Sequence, residues 1–420
     1  MSSRSGSAKG FIQRNISAIT MGLTALVIAG TADLFAGILQ DQMTGYLFTG
    51  MMILIYSAIG MRGNIFGAMG SRIGTAMNIG TFEMSAKKGT VLRANVESTI
   101  LLTLIMSIAM GVTTWIASCI IYPDATDIMS IWDFIFISTV GGVIAGIIVL
   151  MFNILIAYIG NKREWDVDNI TAPLIAAIGD IVTMPMIFAA TWLMLEIGDV
   201  PDMGDMIILA ISLALIALTV FFTLYIVKRK VSKRDFSGEA KRVVFQSLPV
   251  LMFCLVFEIG AGITIQSEQD KLVEFSVLLI MLPAFLNQGN ALSGMLTSRL
   301  SSMIHLGTLE DKWVPGRGAY ENFLIMYICA MLTFLYIGLI SFGAAWVTSG
   351  NDNIGILTSL GIILVAGFLA TTILNILSYY VAIAATKFGL DPDDCCIPIT
   401  SSVMDMLGSM VLVFIIYLFI

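Results

Sequence analysis

The chain has 420 residues, 58% of them apolar and 12% charged, against roughly 45–50% and about 25% in soluble globular domains. That composition excludes an ordinary soluble enzyme. A formal charge of −7, with no basic patch beyond what membrane topology requires, excludes a nucleic-acid partner.

A helix needs about 20 apolar residues to cross a hydrocarbon core of about 30 Å, and eleven such stretches occur in the chain. The polar segment 1–10 carries no cleavage site, so the first stretch, 16–39, reads as a retained span. Next come 45–62 with a glycine-rich continuation to 78, then 91–122, 131–160, 171–197 and 206–227. The second half supplies 243–264, 272–302, 320–347, 354–386 and 396–420. The expected fold class is an all-α polytopic membrane protein. With the N-terminus inside, 18 of the 22 Lys and Arg residues fall in cytoplasmic segments and Lys271 alone outside. Arg62, Arg72 and Arg299 fall at the glycine-rich ends of the second span of each half. All six tryptophans, Trp165 among them, lie near span ends, where an amphipathic ring prefers the interface. The expected placement is a multi-pass protein of the cell membrane, N-terminus cytoplasmic and C-terminus extracellular.

An internal repeat organises these spans. Asp33 and Glu258 stand 225 residues apart, and Gly63-Asn64 matches Gly289-Asn290 at 226. Ser71-Arg72 with Gly80-Thr81 matches Ser298-Arg299 with Gly307-Thr308 at 227, while Pro173 and Asp180 return as Pro398 and Asp405 at 225. The chain is therefore read as two five-helix repeats, 1–200 and 243–420, with a linker helix and basic loop at 201–242. The extra span turns the chain back across the membrane. Both repeats then enter from the cytoplasm, parallel about an axis along the membrane normal, and this pseudo-dimer needs no second copy.

Asp33, Asp180, Glu258 and Asp405 lie inside apolar spans, where each costs about 2.5–3.5 kcal/mol at a helix centre. Pro173 and Pro398 suit the first turn of a helix, and an aspartate follows each by seven residues, about two turns. In parallel repeats Asp180 and Asp405 share one depth and can face each other across the axis. Two close carboxylates in a low dielectric share a proton or hold a cation. The alternative is local satisfaction by a hydroxyl: Thr183 for Asp180, and Ser401, Ser402 or Ser409 for Asp405. Asp33 and Glu258 either line the path or anchor helices. Asn64 and Asn290 can each offer a carbonyl oxygen to a cation or its water. The stripe Gly60, Gly63, Gly67, Gly70, Gly74 is one helical face, which reads as close helix packing. The lone His305 has no second histidine with which to bind metal, and Cys119, Cys254, Cys329, Cys395 and Cys396 have no paired metal-ligand spacing, reading as packing residues and free thiols.

The Gly63-Asn64 to Glu83 block, the Gly289-Asn290 to Arg299 block, and the run from Asp391 through Asp393, Asp394 and Pro398 to Asp405 carry a resemblance. They look like the MgtE-type integral membrane domain in the fused two-repeat form of solute carrier family 41. The resemblance implies a pathway for magnesium or related divalent cations between the repeats. Asp180 and Asp405 would contact the hydrated ion, and Asn64 and Asn290 fall on the glycine-asparagine motif. No cofactor is implied beyond the transported Mg2+, and the partners are that ion and the lipid bilayer. Soluble regulatory domains of the bacterial kind are not seen in the sequence, so the resemblance carries no expectation of gating through them.

Elementary chemistry agrees with that expectation. Magnesium dehydrates reluctantly and keeps several waters, so two carboxylates with a few carbonyl or hydroxyl oxygens can hold it through its hydration shell. External loops add acidic residues, Asp41, Asp127, Asp133 and Asp352 among them, which either concentrate cations or simply fill loops from which basic residues are excluded. A sodium- or proton-coupled exchanger is an alternative that these residues do not separate from a channel. An intramembrane aspartyl protease is a remoter one: Ala177-Ile178-Gly179-Asp180 approaches a Gly-x-Gly-Asp motif, but the second aspartate lacks the matching tyrosine. The expectation is a transporter and no enzyme.

Overall fold

A computed structural model describes residues 8–420 apart from 79, 86, 88, 164–166, 229–238, 306, 311, 350–353 and 389–396. Asp352, Asp391, Asp393, Asp394, Cys395, Cys396, Trp165 and most of the basic connector thus lie outside the described residues, as does the side chain of His305. Among the described residues the protein is all helical, with no strand. The helices are α1 (Ala8–Gln42), α2 (Met51–Asn78), α3 (Val91–Ile121), α4 (Ile131–Arg163), α5 (Val167–Gly198) and α6 (Gly204–Lys228). They continue as α7 (Glu239–Gln266), the short α8 (Gln269–Glu274), α9 (Ser276–His305), α10 (Arg317–Ser349), α11 (Ile356–Phe388) and α12 (Ile397–Phe419). All but α8 contain a stretch long and apolar enough to cross a membrane, eleven in all.

Helix ends repeat as well as helix bodies. Gly80 and Gly307, at φ +77° and +68°, follow α2 and α9 in the left-handed conformation that glycine adopts without strain. Each N–H bonds back three residues, to Met77 and Ile304, and the next residue's N–H bonds back five, to Ala76 and Met303. These are paired Schellman endings.

Packing follows the duplication throughout. The first helix of each repeat crosses the second helix of the other: α1 lies on α9, and α7 on α2. Contacts α2 with α5, α4 with α5 and α1 with α5 return as α9 with α12, α11 with α12 and α7 with α12. Glycine makes the cross-repeat approach close. A methyl at Gly37 would strike the backbone of Ile280, and one at Gly262 the backbone of Ile53. The central helices are α2 and α9, whose apolar stretches are 72% and 83% buried, whereas α6 is 17% buried and lies against α4 at the periphery.

Several expectations need correction. The second span starts at Met51, since 44–46 form a single 3-10 turn, and it runs unbroken to Asn78. Arg62 therefore sits mid-helix and buried rather than at a span end. Helix α5 begins at Val167, which takes Pro173 out of the first turn; Pro398 does occupy the first turn of α12. Of the cysteines described, Cys254 and Cys329 are buried and Cys119 is half-buried, and none of the three is in a disulfide.

Candidate functional site: a buried acidic cluster between the repeats

Asp33 on α1, Asp180 on α5, Glu258 on α7 and Asp405 on α12 are all buried. Folding sorts them into two pairs within the repeats: Asp33 and Asp180 stand within hydrogen-bonding reach of one another, as do Glu258 and Asp405. Asp180 also feels the charges of Asp405 and Glu258 across the interface. The sequence-level pair is thus part of a four-acid group. Among the described residues none of the four has an ion pair, and no three acidic, histidine or cysteine side chains are disposed to ligate a bare metal directly.

Amides and hydroxyls from both repeats hold the cluster. The Asn64 Nδ2 donates to Ser402 Oγ at 2.9 Å and more weakly to Glu258 Oε1 at 3.5 Å, while Ser402 Oγ donates to Glu258 Oε1 at 2.7 Å. Ser401 Oγ donates to Asn64 Oδ1 at 2.9 Å. Asn290 Nδ2 donates to Asp405 Oδ1 and, in the other pair, Asn287 Nδ2 donates to Asp33 Oδ2, each at 2.8 Å. One oxygen of Asp33, of Glu258 and of Asp405 keeps no hydrogen-bond partner, nor do Asn290 Oδ1 and Thr183 Oγ1. A buried oxygen without a donor costs about 1–3 kcal/mol, more when charged, so the cluster is unsaturated toward donors and cations.

The local-hydroxyl alternative is not what folds. Thr183 Oγ1 bonds to nothing described, Ser402 serves Glu258, and Ser409 donates to the Met406 carbonyl. Ser401 serves Asn64 and the Pro398 carbonyl.

The glycine stripe also has a different use from close packing. At Gly60 an added methyl would run into the Glu258 carboxyl, but at Gly63 and Gly67 it would meet nothing within 4 Å, and the same holds at Gly179, next to Asp180, and at Gly294. At these four positions glycine borders open space and not a packed neighbour.

Sequence reasoning missed Asn287 and the use of Ser402 on Glu258. Asn287 has the apolar Met61 as its counterpart at offset 226, so a repeat search passes over it. Its only signal was the cluster of three carboxamides in the run Asn287-Gln288-Gly289-Asn290, directly after an apolar stretch.

Duplicated helical units closed around a buried acidic cluster define the class, a polytopic membrane protein with carboxylates in its core. The family model described as a divalent cation transporter, MgtE, matches twice, over 55–190 and 282–415, and the chain belongs to that family. It is similar to solute carrier family 41 member 2 of Homo sapiens, 23% identical over 428 residues, covering 93% of this chain and 68% of the relative. The same protein of Macaca fascicularis is 23% identical with equal coverage. Solute carrier family 41 member 3 of Mus musculus is 21% identical over 86% of this chain and 74% of its own length. No solved structure matches the chain.

Proposed function

We propose that the protein carries magnesium or a related divalent cation along the axis between its two repeats, with Asp180 and Asp405 holding the hydrated ion and Asp33 and Glu258 beside them. The observation that carries this reading is the convergence of four buried carboxylates from α1, α5, α7 and α12 with no basic partner among the described residues. Magnesium binds protein through few ligands and retains water. A site in which no three described side chains are disposed to ligate a bare metal together, but which is rich in unpartnered oxygens, suits the hydrated ion. Asn290 Oδ1, Thr183 Oγ1, Ser401 and Asn64 are the polar groups that would line its approach. The repeats divide near residues 200 and 242, the pseudo-dimer acts as a monomer, and the chain sits in the cell membrane with its N-terminus cytoplasmic. A peptidase dyad has less support, because Asp180 is accompanied by Asp33 and Asp405 by Glu258.

The test is magnesium flux into proteoliposomes, with and without a sodium gradient, a pH gradient and a membrane potential. Flux driven by potential alone marks a channel, and flux that requires sodium or protons marks the exchanger. Asp180→Asn and Asp405→Asn should each weaken magnesium binding by about 10-fold or more, the scale for lost outer-shell partners. The double variant should lose less than the two singles combined, since groups sharing one partner are not additive. Additive losses with flux retained would refute the shared ion.

A further inference from the structure

Arg62 is a mid-helix cation of α2 that the acidic cluster does not use. Its side chain is 2% exposed, and all three guanidinium nitrogens lack a hydrogen-bond acceptor among the described residues. It cannot reach the four acids from where it stands. Gly60 and Asn64 turn toward Glu258, and Arg62 is two residues from each, about 200° around the helix at 3.6 residues per turn. Instead its guanidinium lies over α4 and beside α3: a methyl on Gly142 would sit 3.4 Å from Arg62 Nη2 and against Ser107 Oγ. Thr139, one turn earlier on α4, is fully buried and its hydroxyl has no partner. A guanidinium in a nonpolar interior costs several kcal/mol unless a counter-charge accompanies it.

The second repeat is an internal control for this niche. Registers there are fixed by matching hydrogen bonds. Asn95 and Asn322, 227 apart, each donate to the carbonyl four residues back, and Asn153 and Ser378, 225 apart, each donate to a backbone carbonyl of α2 and α9 respectively. At these offsets, with 226 for the second span, Arg62 corresponds to Gln288, Ser107 to Phe334, Thr139 to Leu364 and Gly142 to Gly367. Gln288 Nε2 is satisfied by the Leu26 carbonyl at 2.8 Å, and the ring of Phe334 fills the space over Gly367. In the second repeat an aromatic ring therefore fills this niche. In the first repeat the same positions carry a cation and two hydroxyls.

We propose that the niche between α2, α3 and α4 binds a small inorganic anion of the halide class, held by the Arg62 guanidinium with the hydroxyls of Ser107 and Thr139. Both donor types suit a halide: five N–H groups on arginine and one O–H on each hydroxyl. The tight packing at Gly142 limits the guest to a small ion.

Chloride is the probe, and thermal unfolding of the purified full-length protein in detergent is the readout, at fixed magnesium and fixed ionic strength with gluconate exchanged stepwise for chloride and then bromide. A ligand bound only by the folded state raises the midpoint with its concentration. The wild-type midpoint should climb with chloride. Arg62→Gln, which copies the second repeat, should abolish the response. Thr139→Leu keeps the cation and copies Leu364; it should shift the response to several-fold higher chloride and decides the matter should Arg62→Gln fail to fold. A wild-type midpoint indifferent to halide, or a response unchanged in Thr139→Leu and in any folded Arg62→Gln, overturns the site. Magnesium flux is not measured, so the result is independent of the cation reading.

Discussion

Asn64 shows how much one side chain on α2 connects: it donates to Ser402 and Glu258 and accepts from Ser401, tying the second helix of one repeat to the first and fifth of the other. The glycines flanking it separate packing from open space. Alanine in place of a helical glycine gains about 0.8–1 kcal/mol of helix propensity. At Gly63 the methyl meets nothing within 4 Å, so Gly63→Ala should hold or raise the thermal midpoint. At Gly60 it displaces the Glu258 carboxyl from Ser402 and Asn64, and the loss of hydrogen bonds to a charged group, about 1.5–3 kcal/mol each, should outweigh that gain. Gly60→Ala should melt earlier than wild type and bind magnesium more weakly. Equal midpoints for the two variants would contradict the assignment of the stripe. The acids themselves were legible in the sequence, because a carboxylate in an apolar span is costly wherever it points. Their partners were not, because Ser402 and Asn287 become partners only across helices.

At the scale of elements, the fold depends on the two cross-repeat contacts of α1 with α9 and α7 with α2. Gly37 and Gly262 sit one turn after Asp33 and Glu258, so the closest backbone approach fixes the acids' height. Gly37→Val and Gly262→Val would each force helices apart where a methyl already collides with backbone, at about 1–3 kcal/mol or more. Both variants should show a lowered midpoint in thermal unfolding together with weakened magnesium binding, while Gly343→Val, at a site on α10 with open space, should show neither. Loops carry their own ties. Asp127 accepts from the Thr49 N–H at 3.0 Å and the Thr49 hydroxyl at 2.7 Å, and these bonds hold its carboxyl below the usual carboxylate range. A carboxyl with a depressed folded pKa contributes stability above its unfolded pKa, lost as pH falls through the folded value. Wild type should therefore be slightly more stable than Asp127→Asn at neutral pH, with the advantage disappearing below about pH 4 in a pH series of melting curves. Asp133 accepts from the Ser130 N–H at the start of α4, while Ser130 Oγ accepts from the Asp133 N–H. Part of the loop acidity thus serves loop and cap geometry.

On the scale of the whole molecule, the duplication sets the architecture and α6 sets its sense. With α6 present, two odd-numbered units run parallel; without it they would be inverted. Single cysteines at Lys87, Asp202 and Lys233 in a cysteine-free background should label from the cytoplasm, the outside and the cytoplasm respectively, and cytoplasmic labelling at Asp202 would overturn the parallel arrangement. The peripheral position of α6, packed on α3, α4 and α5, fits a connector that reorients the chain without lining the axis.

What the sequence determined by itself was whatever depends on composition and period: eleven apolar spans, the internal repeat, the family resemblance, and the four carboxylates too costly to bury idly. Those features are local or additive along the chain. Only the tertiary structure decided which acid stands beside which, and that Gly63 and Gly67 border open space rather than a helix. The same is true of Gln266, at the end of α7, whose Oε1 accepts the Gly50 and Met52 N–H groups at the start of α2, both at 3.1 Å. The acid pairs and the Gln266 bonds join residues more than a hundred positions apart, and no period within one helix encodes the rotation of another helix against it. Arg62 shows both levels at once. The sequence revealed its charge, but its burial against Gly142 depends on how closely α2, α3 and α4 pack around it.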